Sequence, residues 1–254
     1  SAMLSGVLIK VSGVYAMTRI FMNVFGLTPA LTTVLTVMGV VSIFVGALAA
    51  LGQNDIKRML AYSSISQIGY VVLGLGLGTP LGILGGLFHL FNHALFKSLL
   101  FLNAGAVEQS TGTRSLDKMG GLAKVMPLTA VTSAIGSLSI AGVPPLNGFW
   151  SKLLIIIALV QAKMHVLAFL AVLGSVVTLW YYLVLQHRAF FGKLNEAMRG
   201  VKEAPFWMSA AMVLLALLCI VTGLVFPFVI QSWLQPAADI LGQGIGVALN
   251  FIGF

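Results

Sequence analysis

Residues 82–106 read GILGGLFHLFNHALFKSLLFLNAGA. An α-helix needs about 20 apolar residues to cross a hydrocarbon core, and this run supplies them without an Asp, Glu or Arg. His89, His93 and Lys97 recur every four residues, so they line one helix stripe about 12 Å long at 1.5 Å per residue. A charged lysine costs about 2.5–3.5 kcal/mol at the centre of a membrane helix. Lys97 lies too deep in the run to reach the interface. The stretch reads as a membrane helix with an ionisable face.

The rest of the chain agrees with a lipid setting. Of 254 residues, 59% are apolar and 8% charged, where a soluble domain averages about 25% charged; the mean hydropathy is +1.05. Further spans are expected near 3–22, 31–51 and 59–77. One long broken element should cover 127–161, followed by spans near 165–187 and 206–230. The first is no signal peptide, because it lacks a basic leader and Lys10 and Arg19 interrupt it. The expected fold is therefore all-α and polytopic, with about seven transmembrane helices, one of them broken. Residues 1–230 form the membrane domain, and 231–254 a tail.

Loops after the second, fourth and sixth spans hold Lys57, Arg58, Arg114, Lys118, Lys124, Arg188, Lys193, Arg199 and Lys202. Loops on the other side hold only Arg19 and Lys163. Basic loops stay cytoplasmic, so the N-terminus is expected on the cytoplasmic side of a cell membrane and the chain emerges outside after the seventh span. This bias accounts for the net charge of +8 without nucleic acid. In the tail, Asp239, Gln243 and Asn250 face away from Ile240, Val247 and Phe251, the spacing of a helix lying along the membrane surface. Gly242, Gly244 and Gly246 weaken it.

Three lysines fall inside the spans: Lys10, Lys97 and Lys152. No span holds an Asp or Glu, so each must pair with another chain, share water or give up its proton. A low-dielectric setting and neighbouring cations both favour the neutral amine, and histidine titrates near neutrality. Together they make an ion-translocation path through Lys10, His89, His93, Lys97 and Lys152. A stripe that merely bonds helices together is the other reading. In AGVPPLNGFWSK (141–152), Pro144 and Pro145 remove backbone donors. Broken backbone at membrane depth belongs where it is buried or lines a wet cavity, and transporters place ion sites there. Within AYSSISQIGY (61–70), Ser63, Ser66 and Gln67 could line a water path or bond neighbouring helices.

Catalytic, cofactor and metal sites are not expected. The one thiol, Cys219, lies in an apolar run, where it is a small hydrophobe. The histidine pair has a zinc spacing but no third ligand in its span. GLGLG (74–78) has no preceding strand, which a dinucleotide loop requires.

SAMLSGVLIKVSGVYAMTR (1–19), DIKRMLAYSSISQIGY (55–70), HLFNHALFKSLLFLNAG (89–105) and AGVPPLNGFWSK together resemble the antiporter-like proton-translocating subunits of respiratory complex I. That family includes multisubunit sodium/proton antiporters and membrane-bound hydrogenases. LGTPLGILGGLFHLFNHALFK (77–97) with TGTRSLDKMGGL (111–122) looks closest to the hydrogenase and antiporter branch. The resemblance implies two inverted five-helix repeats, of which this chain would hold the second. It matches Lys10 to the lysine ending the first repeat's charges, and His89, His93 and Lys97 to the central relay. Lys152 matches the terminal lysine of the broken helix. The chain begins inside a family motif, so the first-half glutamate and its lysine are expected on another chain.

The expected function is proton or sodium translocation as a subunit, or half-subunit, of a redox-driven respiratory or hydrogenase-type complex. The chain itself would be a non-redox component with no cofactor. Its expected partners are lipid, other membrane subunits and peripheral redox subunits. The alternatives are a sodium/proton antiporter component without a redox partner, and a non-conducting structural subunit.

Overall fold

The computed structural model describes residues 2–241. Helix α1 (Ile9–Thr18) is extended by π-helical turns at Ala2–Leu8 and Arg19–Val24. It is followed by α2 (Pro29–Leu51), α3 (Ile56–Gly76) and α4 (Pro80–Thr111). The broken element is α5 (Pro127–Ala141) and α6 (Asn147–Gln161), and α7 (His165–Gln186) and α8 (Phe206–Leu224) complete the bundle. Among the described residues, six helices are long and apolar enough to cross a membrane, and the half-helices α5 and α6 are shorter apolar helices.

Local chemistry explains the boundaries. Thr28 and Thr79 each cap a helix whose first residue is proline, and the Asp55 carboxylate accepts the Lys57 and Arg58 amides, satisfying donors that have no intrahelical partner. Helix α4 runs to Thr111, five residues past the expected end, and stops at Gly112 in the left-handed conformation. The last span is shorter than expected. It ends at Leu224, Val225 leaves helical geometry, and α9 (Phe226–Val229) restarts with Pro227 in its first turn, where a missing N–H does no harm.

Helix α9 continues through a π-helical stretch, Ile230–Leu234, and on to residue 241, so the boundary expected at 230/231 falls within it. Ile230, Leu234, Ala238 and Leu241 pack with Val14, Leu87 and Leu90 of α1 and α4. The surface-helix expectation for 242–254, with Gln243, Val247, Asn250 and Phe251, lies outside the described residues.

Helices α3 and α4 form the centre: 72% and 78% of their spans are buried, against 28% for α8. They are also the helices that carry the polar sequence. Helices α2 and α3 cross closely because a Cβ on Gly69 would stand 2.6 Å from the Gly39 carbonyl oxygen; small residues let backbones approach in lipid.

The three basic loops meet at one end of the bundle. Arg188 donates to Asn54 and pairs with Asp117, Lys57 pairs with Glu108, and Arg114 bridges Asp55 and Glu108. From the same end, the Glu203 carboxylate accepts the Leu128 amide (2.9 Å), the Thr129 amide (3.3 Å) and the Thr129 hydroxyl. It caps α5 from a separate loop. Glu203→Ala should cost about 1 kcal/mol, the usual value of a lost helix cap, and lower the thermal midpoint in detergent. An unchanged midpoint would show that this clamp contributes nothing.

Candidate ion pathway

Lys97 is fully buried. Its backbone lies on the histidine stripe, but its ammonium leaves that stripe for α3 and α7. It donates to the Leu60 carbonyl at 2.8 Å, to the Ser63 hydroxyl and to the Tyr182 hydroxyl at 3.4 Å. All three acceptors are uncharged. All six Asp and Glu residues (Asp55, Glu108, Asp117, Glu196, Glu203 and Asp239) lie in loops, at helix ends or on an exposed surface. Lys97 is therefore not half of an ion pair within the described residues.

The two histidines are fully buried as well. His89 Nδ1 lies 2.9 Å from the Ser151 hydroxyl on α6, and its ring centroid is 5.6 Å from that of Tyr70. The Phe96 ring packs against both imidazoles, at 6.0 Å from His89 and 5.8 Å from His93. His89 Nε2 and both His93 ring nitrogens have no protein partner. Buried polar atoms are ordinarily paired with protein or water. These nitrogens sit in an interior whose polarity suits water.

The break spans residues 142–146. Gly142 turns left-handed after α5, and Asn147 ties the restart in place. Its side-chain oxygen accepts the Ser139 hydroxyl, and its backbone carbonyl accepts Asn92 Nδ2 at 3.0 Å. Gly148 touches the Ser139 carbonyl so closely that a Cβ would stand 1.9 Å from that oxygen. Lys152 folds back toward the end of α5, donating to the carbonyls of Ile140 (2.8 Å) and Ala141 (3.3 Å), with its ammonium 4.7 Å from the centroid of the Tyr70 ring.

Lys152, Tyr70 and His89 thus form one cluster, and Lys97, Ser63 and Tyr182 another. The eight residues from His89 to Lys97 put them about 12 Å apart along α4. Lys10 is half-buried on α1, within electrostatic reach of His93 and Lys97. Ser63 bonds the Leu60 carbonyl and faces Tyr182, and Gln67 donates to Thr178 at 3.5 Å. Ser66 has its backbone against Gly46 of α2, and its hydroxyl, like the Gln67 carbonyl oxygen, has no protein partner.

Sequence reasoning placed α7 but missed its polar face. Ser175, Thr178, Tyr182 and Gln186 lie on one face and supply partners to Tyr70, Gln67, Ser63 and the α5 serines Ser133 and Ser137. The signal was there, a hydroxyl or amide every three or four residues in an apolar run. Ser137, Tyr182, Gln186 and His187 also border an open, largely apolar groove of about 520 Å³ between α5 and α7, walled by Leu138, Leu179, Leu183 and Phe191. It lies between the Lys97 cluster and the charged end of the bundle.

Known proteins share the sequence family and the fold. Residues 1–178 match the family described as NADH:quinone oxidoreductase/Mrp antiporter, transmembrane. The chain is 36% identical over 246 residues to a Na(+)/H(+) antiporter subunit of Alkalihalophilus pseudofirmus, covering 96% of this chain and 50% of that protein. It also resembles a chain of the membrane-bound sulfane sulfur reductase, an archaeal respiratory membrane complex, with 37% identity and a TM-score of 0.80 over 87% of this chain and 38% of the other. A chain of the Mrp complex from a Dietzia species aligns with a TM-score of 0.82 and 27% identity, over 98% of this chain and 52% of the other. The chain spans about half the length of these relatives, or less.

Proposed function

Because the chain belongs to the NADH:quinone oxidoreductase/Mrp antiporter transmembrane family, we propose that it translocates ions as part of an antiporter-like subunit in a larger membrane assembly. One observation carries the reading: two buried lysines, Lys97 and Lys152, each held by uncharged oxygens, with buried histidines and unpartnered polar atoms on the same helices. A structural role alone needs no such arrangement, since buried cations without counter-ions are destabilising. Lys97 would take protons from the charged end, which we assign to the cytoplasm on its Lys and Arg content, by way of Gln186 and Tyr182. His93, His89 and water held by Ser63, Ser66, Gln67 and Tyr70 would pass them toward Lys152, beside the break. Lys10 biases the Lys97 end by its charge.

The drive comes from elsewhere in the assembly. We place the chain in a redox-driven respiratory complex, supported by its likeness to the sulfane sulfur reductase chain. The similar identity to the Alkalihalophilus protein supports the alternative of a sodium/proton antiporter. Its partners would include other membrane subunits, one of them placing an acidic group near Lys10, together with peripheral redox subunits and lipid.

The test uses the purified assembly in vesicles with a pH-sensitive dye, in sodium and in choline media. Lys152→Arg should transport at well under a tenth of the wild-type rate, because an arginine does not readily give up its proton. Full transport by that variant would make Lys152 a fixed charge and sink its place in the route.

A further inference from the structure

The end of α5 leaves two carbonyls to account for. Gly142 N–H bonds the Ser139 carbonyl at 3.0 Å and Val143 N–H bonds the Leu138 carbonyl at 3.0 Å, closing the helix in the usual way. The carbonyls of Ile140 and Ala141 remain. Both residues are buried, and the donor given to both is the Lys152 ammonium. That ammonium lies 4.7 Å from the centroid of the Tyr70 ring, and the ring is fixed by hydrogen bonds from its hydroxyl to the Ala171 carbonyl (2.7 Å) and Ser175 (3.0 Å). Gly142 leaves room for the lysine stem, since a Cβ there would stand 3.1 Å from Lys152 Cδ.

Two free carbonyls at the negative end of a half-helix, beside an aromatic face, constitute a cation site. Its occupant here is tethered. The geometry points to a second, exchangeable occupant: an alkali-metal cation that takes the Ile140 and Ala141 carbonyls when Lys152 gives up its proton to solvent and its neutral side chain withdraws. Ammonium and metal ion cannot share the site, because like charges at that separation repel strongly in a low dielectric. Nor can the carbonyls be left bare, because a buried acceptor without a partner is costly. One further uncharged acceptor lies at the break: the side-chain oxygen of Asn92 is buried and unpartnered, and its amide is bonded to the Asn147 carbonyl at the restart of the helix. The site would thus exchange one cation for another at a fixed place. This rests on the reading of Lys152 as an ion-handling group and adds the ion it is exchanged for.

The test is equilibrium binding of radioactive sodium, and of rubidium as the larger ion, to the purified assembly with wild-type chain and with Lys152→Ala. The variant should gain one saturable site per chain, at least tenfold tighter than any in the wild type. The preferred ion reports the size of the site. A second measurement needs no variant. Sodium or rubidium chloride added to the weakly buffered wild-type assembly should release up to one proton per chain, and choline chloride none. The titratable groups facing Lys152 and the break are Tyr70 on α3, His89 on α4 and Cys219 on α8, and loss of the release in Lys152→Ala assigns it to the lysine. If that variant fails to assemble, the wild-type release decides alone. Retention by Lys152→Ala no greater than wild type, or a wild type that releases no proton, overturns the exchange. Impaired transport by Lys152→Arg would still leave the translocation reading standing.

Discussion

Lys97→Ala should reduce ion translocation to background while the assembly stays intact. The expectation follows from what the side chain leaves behind. Its ammonium holds the Leu60 carbonyl and the hydroxyls of Ser63 and Tyr182, but those hydroxyls already lie 3.1 Å from each other. Ser63 also donates to the Leu60 carbonyl at 2.9 Å. Removing the lysine thus leaves a closed local network and relieves an unpaired buried charge. The cavity formed costs a few kcal/mol at most, in line with about 2–5 kcal/mol for large-to-alanine changes in cores. What disappears is the one titratable group joining the α4 stripe to α7. The measurement is dye-reported ion uptake by reconstituted vesicles, with native gel electrophoresis to confirm assembly. Uptake at the wild-type ratio would take Lys97 out of the route.

The second large effect is expected at Gly148. An added methyl would stand 1.9 Å from the Ser139 carbonyl oxygen, less than any contact a real Cβ makes, so Gly148→Ala must push the two half-helices apart. That movement strains the Asn147 bond to Ser139 and shifts Lys152 relative to the carbonyls it caps. Overpacking of this kind costs about 1–3 kcal/mol, and transport should fall at least tenfold. Gly105→Ala is the matched comparison. That glycine is also inside a helix, but nothing lies within 4 Å of its added Cβ. It should be neutral or stabilising by up to about 1 kcal/mol, the difference in helix propensity, with transport unchanged. Similar behaviour of the two variants in thermal melts and flux would mean that the close approach at the break has no functional weight.

The spans were legible in the sequence because the bilayer imposes a length, and long apolar runs answer to it. So was the break, since Pro144 and Pro145 cannot donate to a helix. The His89, His93 and Lys97 stripe was legible because helical spacing is local. What the lysines touch was not. Lys97 finds its partners 34–85 residues away along the chain, and one of them is a backbone carbonyl that any residue could offer. Lys152 likewise bonds backbone. Sequence shows where a donor sits on its own helix, whereas the acceptor depends on the rotation of the neighbouring helices. The α7 face was overlooked for the same reason: Ser175, Thr178 and Tyr182 look ordinary until α3 is placed against them. The end of the last span was misjudged because hydropathy continues through Val225, while the turn there is set by Pro227 and by packing on α1 and α4.

The capping of α5 has a mechanical consequence. This half-helix is a rod of 15 residues, about 22 Å long at 1.5 Å per residue, gripped at each end by a charge from outside it. The Glu203 carboxylate on the basic-loop surface holds its amides, and the buried Lys152 ammonium holds its carbonyls. A hydrogen-bonded helix is stiff along its axis, so a small axial displacement imposed on the loop around Glu203 arrives nearly undiminished at Ile140 and Ala141. A displacement of that surface would therefore act on the same helix whose far end Lys152 caps.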